Sequence, residues 1–222
     1  MVKIIIGDTE TTGLSGDRAA CEVGLIEIDV HTLEVVAEYS SLIDPERPIE
    51  AGATAIHSIT DAQVSHAPTM SEYIQGPLKG GLGDIVLIGY RVGFDLPMLR
   101  VVGNVVQTFD VLPLAQQLVS DTANHKLQTL KDHFGLPGGA AHRALGDCQT
   151  TLQLLRVLIP LSGRSLADHL KTKVQFITKM PFGKHIHKPL VAIPKDYREW
   201  LLKQDGIDNN LRASLEMLAL TE

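Results

Sequence analysis

The sequence predicts an α/β fold, a mixed sheet flanked by helices, followed by a small α+β module on its C-terminal side. Three observations lead there. Strand-length apolar or alternating runs fill the first part of the chain, and from residue 85 onward such runs alternate with helical spacing. After Pro160-Leu161-Ser162-Gly163 the composition shifts, so a second unit is expected.

Val2–Gly7 is a continuous apolar run, and Glu22–Val30 and Glu34–Ile43 alternate apolar with polar residues. Together they read as a three-stranded meander with turns near Ser15-Gly16 and Asp29–Thr32. Pro45, Pro48 and Gly52 break the pattern and lead to Ala53–His57 and to a helix over Thr60–Val64 with Thr60 as its cap. Glu72–Leu78 reads as another short helix. The glycines of Gly76–Gly83 read as a loop, not a phosphate cradle, because no Gly-Lys-Ser/Thr follows them. Ile85–Gly89 is a wholly apolar strand, followed by a helix from about Asp95 to Val101 and a strand over Val105–Phe109. Leu127, Leu130 and Phe134 space a helix over His125–Phe134, and Leu145, Cys148, Leu152 and Leu155 one over Ala144–Pro160. Such alternation implies a sheet covered on both faces. Beyond residue 163, a short helix (Leu166–Lys171) leads to a strand at Val174–Phe176, a Met180–Lys184 turn and two helices around Trp200 and Leu215. Residues 1–163 are expected to form one domain and 172–222 the module.

With 222 residues, 44% apolar and 21% charged, the chain falls outside the disordered and collagen-like classes. Its apolar runs are far shorter than the roughly 20 residues of a membrane helix, and its start reads as a strand rather than a signal peptide. Cys21 and Cys148 lie in no Cys-x-x-Cys and read as buried thiols of a cytoplasmic protein. The net charge of −6 conceals an asymmetry. Residues 160–200 hold eight Lys/Arg against three acids, a net of +5, while the rest holds 12 against 23, a net of −11. An acidic body with a basic appendage suits contact with a polyanion, although a solvated charged surface has the same composition.

Asp8 and Glu10 stand at i and i+2 near the end of the first strand, so both carboxylates point to one face. Two like charges so close call for a counter-charge, and a divalent cation is the simplest; a purely structural acidic pair is the ordinary alternative. Asp95 follows a buried strand where α/β sheets carry ligand sites, or else serves as a helix N-cap. Asp147 sits among Leu145, Cys148 and Leu152, where a carboxylate is costly unless paired or metal-bound. With His142, these residues make the donor set of a two-metal phosphoryl-transfer site.

Asp8-Thr9-Glu10-Thr11-Thr12-Gly13, Gly93-Phe94-Asp95 and His142-Arg143-Ala144-Leu145-Gly146-Asp147 resemble, in order and spacing, the three motifs of the DEDDh exonucleases. These belong to the DnaQ-like superfamily of the ribonuclease H-like fold, and the likeness covers about residues 3–160. Ala55-Ile56-His57-Ser58-Ile59-Thr60 is similar to the segment bordering the terminal nucleotide in such enzymes. The resemblance implies that Asp8, Glu10, Asp95 and Asp147 hold two Mg²⁺ or Mn²⁺ ions and that His142 is the general base. A histidine suits a proton acceptor at physiological pH. It also implies substrate contacts from Thr9, Thr11, Thr12, Gly13, Ile56, His57 and Phe94. The pattern is broken at Tyr90-Arg91, where many relatives have His-Asn; Arg91 is expected to meet a phosphate or a site carboxylate, or to face solvent.

Residues 179–201 are similar to the C-terminal module of exodeoxyribonuclease X-type enzymes. Tyr197, Trp200 and Leu201 at helical spacing are expected in the module's core, the alternative being a base-stacking surface. Phe182 and Lys184, in a Gly/Pro turn, are expected to touch substrate by stacking and charge. The implied function is a 3′-to-5′ exodeoxyribonuclease of DNA repair or processing, with single-stranded 3′ ends as the preferred substrate and duplex DNA as the second, without a membrane partner. The alternatives are a polymerase proofreading subunit, an RNA exonuclease on the same fold, and a non-catalytic nucleic-acid-binding module.

Overall fold

The computed structural model describes residues 2–171, 177–204, 207–208, 211–212, 214–215 and 218–219. The chain forms two compact units, Met1–Leu170 and Lys171–Glu222. In the first, β1 (Lys3–Thr11), β2 (Ala20–Ile28) and β3 (Val35–Leu42) are the expected antiparallel meander. Two further strands, β4 (Asp84–Gly89) and β5 (Asn104–Asp110), pair in parallel, giving the order β3-β2-β1-β4-β5. The helices are α1 (Ala51–His57), α2 (Asp61–Val64), α3 (Met70–Gln75), α4 (Val92–Leu99), α5 (Val111–Leu118), α6 (Leu127–Phe134), α7 (Ala144–Leu161) and α8 (Leu166–Leu170).

Period-two alternation divides the core between the two faces of the sheet. Ile6, Ile26 and Ile88 pack with α5, α6 and α7 on one side, while Ile5, Leu25 and Leu87 pack with α3 and α4 on the other. All six are fully buried, each contributing about 1.5–3 kcal/mol. Leu166 is 1% exposed in the α7-side cluster, so α8 belongs to the first unit.

The start of α7 lies directly on β2. A Cβ at Gly24 would collide with the backbone of Ala144 and Leu145, and one at Gly146 with the Ala140 carbonyl. Cys148 Sγ donates to the Gly24 carbonyl at 3.2 Å. Helix and strand therefore meet backbone to backbone, and the first turn of α7 has one available position.

Three boundaries differ from the sequence reading. Arg91 adopts φ 63°, and its N–H is held by the Asp110 carboxylate at 3.0 Å. The chain consequently turns from β4 straight into α4 at Val92, and Asp95 lies inside the helix rather than capping it. A Thr69–Glu72 capping box starts α3 at Met70. Helix α5 was hidden by Pro113, which lies in its first turn where a missing N–H costs nothing; Asp110 caps it through Leu112 N–H at 3.0 Å.

In the second unit, helix α9 (Lys195–Leu202) and two single 3-10 turns, Gly183–His185 and Leu190–Ala192, surround Met180, Leu190, Ile193, Leu201, Leu211 and Leu215. Residues 211–212, 214–215 and 218–219 are helical. The expected Val174–Phe176 strand lies outside the described residues. Trp200 is 50% exposed, contrary to its expected place in the core: on α9 the inward positions go to Leu201 and Arg198, with Tyr197 at the margin. Among the described residues no helix is long and apolar enough to cross a membrane.

Gly24→Ala should lift α7 from the sheet and cost about 1–3 kcal/mol by overpacking. Gly16→Ala, where a Cβ meets nothing within 4 Å, should not lower stability. Urea midpoints of both variants test this, and equal midpoints would show that α7 is not held by this contact.

Candidate active site

Asp8 and Glu10 emerge from β1 on the face covered by α7, and α7 delivers Asp147 to meet them. One carboxylate oxygen from each lies within 4.8 Å of the others. The arrival of Asp147 is set by β2. Glu22, opposite Glu10 in the register, is 3% exposed, accepts the Ala144 N–H at 2.9 Å as a cap on α7, and is gripped by the Arg143 guanidinium with Nε at 3.0 Å. Gln128 of α6 then donates to Asp147 Oδ1 at 2.9 Å.

Burial raises Asp8, Glu10 and Asp147, and for Asp8 and Glu10 the neighbouring carboxylates add to it. Asp8 is held well above the usual carboxylate range by desolvation and then by the charges of Asp95, Asp147, Glu10 and Glu22. Glu10 is pushed up to about 8 by burial and by Asp147 and Glu22. Burial also raises Asp147, against the pull of His142, Lys131 and the Gln128 bond. Three converging hard-oxygen donors, none in an ion pair among the described residues, fit a divalent metal ion.

Asp95 stands apart from the three. β1 pairs with β4 only through Ile6, so its last residues outrun that neighbour, and Asp95 Oδ1 takes the freed Thr9 N–H (3.0 Å) and Thr9 Oγ1 (2.6 Å). Thr9, expected against substrate, is buried and serves Asp95 instead, because odd positions of β1 face α4. Burial pushes Asp95 up to about 7, while the Thr9 bonds and the Arg18 charge pull it down. Arg18 also donates to the Phe94 carbonyl at 2.7 Å and lies 4.2 Å from that ring's centroid.

His142 is exposed, at φ 56°, immediately before the anchored Arg143, and its N–H is bonded by Asp147. His57 is 4% exposed and turned inward. Its Nδ1 accepts Ile59 N–H at 2.9 Å, so Nε2 carries the proton and donates to the Thr11 carbonyl at 3.2 Å. The ring supports the Thr11–Gly13 strap from behind rather than offering an edge to substrate. Thr11 and Thr12 are likewise buried, their hydroxyls engaged with the Gly13 carbonyl and the Ala19 N–H. Ile56 is 54% exposed. The Arg91 side chain is exposed and, among the described residues, reaches none of the site carboxylates; its charge falls on Asp110. Phe182 and Lys184 belong to the second unit and are both exposed.

Sequence reasoning missed Glu22, Arg143, Gln128 and Arg18. The first two had a signal: an acid on the same alternation as the core residues Ile26 and Ile28 of β2, and a base beside His142. The others had none, since their roles arise only when separate segments meet.

A family model described as RNase_T exonuclease matches residues 5–155. Exodeoxyribonuclease 10 of Escherichia coli K12 is 31% identical over 232 aligned positions, covering 97% of each chain. The PolC-type DNA polymerase III of Latilactobacillus sakei is 34% identical over 160 positions, covering 68% of this chain. The match spans only 11% of that polymerase. A solved structure of exonuclease X in complex with 5′ overhanging duplex DNA superposes with a TM-score of 0.59 at 30% identity, covering 74% of this chain and 95% of the other. Divalent-metal dependence follows from this family relationship together with the acidic cluster.

Since these carboxyls take protons more tightly when folded, the native state holds protons that the unfolded chain has released. Metal-free stability should therefore fall as pH rises from about 4.5 to 8, and a divalent ion should restore it at pH 8 with release of protons. Thermal midpoints with and without metal across this range test it; a metal-free midpoint that climbs with pH would contradict it. Arg143→Ala should cost about 2–3 kcal/mol by leaving Glu22 buried without its cation, with Arg143→Lys recovering only part. Unchanged denaturation of Arg143→Ala would remove the clamp.

Proposed function

Because the chain belongs to the RNase_T exonuclease family, we propose that it is a 3′-to-5′ exodeoxyribonuclease that releases mononucleotides from single-stranded and duplex DNA ends. Its setting is DNA repair or processing, and its working ion Mg²⁺, with Mn²⁺ able to substitute. The observation that carries this reading is the convergence of Asp8, Glu10 and Asp147 beside an exposed His142. DNA as substrate is supported by the exodeoxyribonuclease relative that matches nearly end to end, and duplex ends by the DNA complex of the solved neighbour.

When bound by Asp8, Glu10 and Asp147, with Asp95 adding charge from the other side of β1, divalent ions supply electrostatic stabilisation of the oxygens that attack and leave the phosphorus. The protein's own groups do the rest. His142 takes a proton from the attacking water on an imidazole nitrogen, and it is held for this by the Asp147 bond to its N–H and by the Glu22–Arg143 anchor on the next residue. Gln128 orients the Asp147 carboxylate. Exposed Ile56, beside the strap over Thr11–Gly13, offers an apolar wall to the terminal base. In the second unit, Lys184 and Phe182 hold nucleic acid by charge and stacking. The partial match to a PolC-type polymerase supports a second reading, proofreading for a polymerase, which co-purification with such a partner would distinguish.

End-labelled DNA and RNA oligomers of one sequence, digested with Mg²⁺, test the proposal. DNA should shorten stepwise from its 3′ end. His142→Ala should lower kcat by roughly 10²–10⁴-fold with little change in KM, and Asp8→Asn should abolish turnover. Preference for RNA would move the function to RNA processing, and cleavage of neither polymer would overturn it.

A further inference from the structure

Helix α9 shows solvent a feature that its own packing does not require. Trp200 is half exposed and stacks on Tyr197, with ring centroids 5.4 Å apart and 29° between planes. Lys184 Nζ stands 4.6 Å from the centroid of Tyr197, and the His185 ring meets Tyr197 edge-on at 4.7 Å. Tyr197 is thus fixed by Lys184 and His185 as well as by Trp200, and the column ends on an exposed indole. Phe182, 44% exposed, lies on the same turn as Lys184, where a Cβ on Gly183 would stand 3.6 Å from Tyr197 Oη. Residues 177–204 carry six Lys/Arg against two acids, a net of +4.

An exposed ring at the end of a rigid stack is an apolar surface of the shape and size of a nucleobase. The surrounding charge decides between occupants. Lysines beside the rings repel a second copy of the same surface and attract phosphates. Within a duplex the base faces are covered by their stacked neighbours except at the ends, whereas every base of a single strand can turn a face to the indole, which favours a single strand over a duplex.

We propose that the Lys184–Tyr197–Trp200 column, with Phe182 on the adjoining turn, is a stacking platform for unpaired bases of a DNA strand. This deepens the nuclease reading and rests on it: the second unit would grip the strand whose end the first unit shortens.

Trp200 is the only tryptophan in the chain, so its fluorescence reports the site directly. The full chain carrying Asp8→Asn, which prevents cleavage, is titrated with an oligothymidylate of about 15 nucleotides and with a blunt duplex of the same length. Saturable quenching is expected for the single strand, with at least roughly fivefold weaker binding of the duplex. By fluorescence anisotropy of labelled DNA, Trp200→Ala should raise Kd about tenfold and Trp200→Phe, which keeps a ring, less than about threefold. Circular dichroism confirms that both variants fold. The platform is overturned by a parental Kd in Trp200→Ala, by equal affinity for the duplex, or by quenching that follows protein concentration without DNA. Wild-type digestion of DNA with an unresponsive Trp200 would remove the platform and leave the nuclease standing. Quenching without any wild-type digestion would do the reverse.

Discussion

Negative charge is concentrated where it is hardest to keep. Asp8, Glu10, Glu22, Asp95 and Asp147 converge at one end of the sheet, and desolvation disfavours the ionised forms of Asp8, Glu10, Asp95 and Asp147. Each is held by a different backbone device. Asp8 and Glu10 use the alternation of a central strand, Asp95 completes the hydrogen bonding of a strand end that its neighbour leaves open, and Asp147 rides on a helix seated against a glycine. Glu22 receives a guanidinium of its own and uses that neutrality to cap the helix. The surrounding architecture is a means of holding like charges together until a cation arrives.

Much of this was legible in the sequence. The meander, the two parallel strands and α7 follow from periodicity, because burial of one or both sheet faces leaves a pattern of period two or a solid apolar run. The paired acids of β1 were legible for the same reason. What could not be read depended on contacts between distant segments. The left-handed turn at Arg91 set the start of α4, and only the Asp110 carboxylate, nineteen residues on, explains it. Thr9 and His57 look in the sequence like groups awaiting a substrate, yet their polar atoms are taken up by Asp95 and by the Thr11 carbonyl. Trp200 has helical spacing with Leu201 and Tyr197, but spacing cannot say which of three neighbouring apolar residues a small core has room for.

The two units divide the electrostatic labour. The first gathers acids and needs cations; the second carries the basic excess around exposed rings. Charge opposite to the ligand's belongs on a gripping surface, whereas a hydrolytic centre for the same polyanion must be acidic in order to recruit metal. On the function proposed above, the two demands fall on separate units of the chain.

The carboxylates at the centre stand on strands or on the first turns of helices, while the connection next to them, residues 12–19, contributes none of them. Chemistry and access are therefore written in different parts of the chain. A lineage built on this scaffold can lengthen or exchange its rim to admit new polymer ends, and inherit the hydrolytic apparatus unaltered each time.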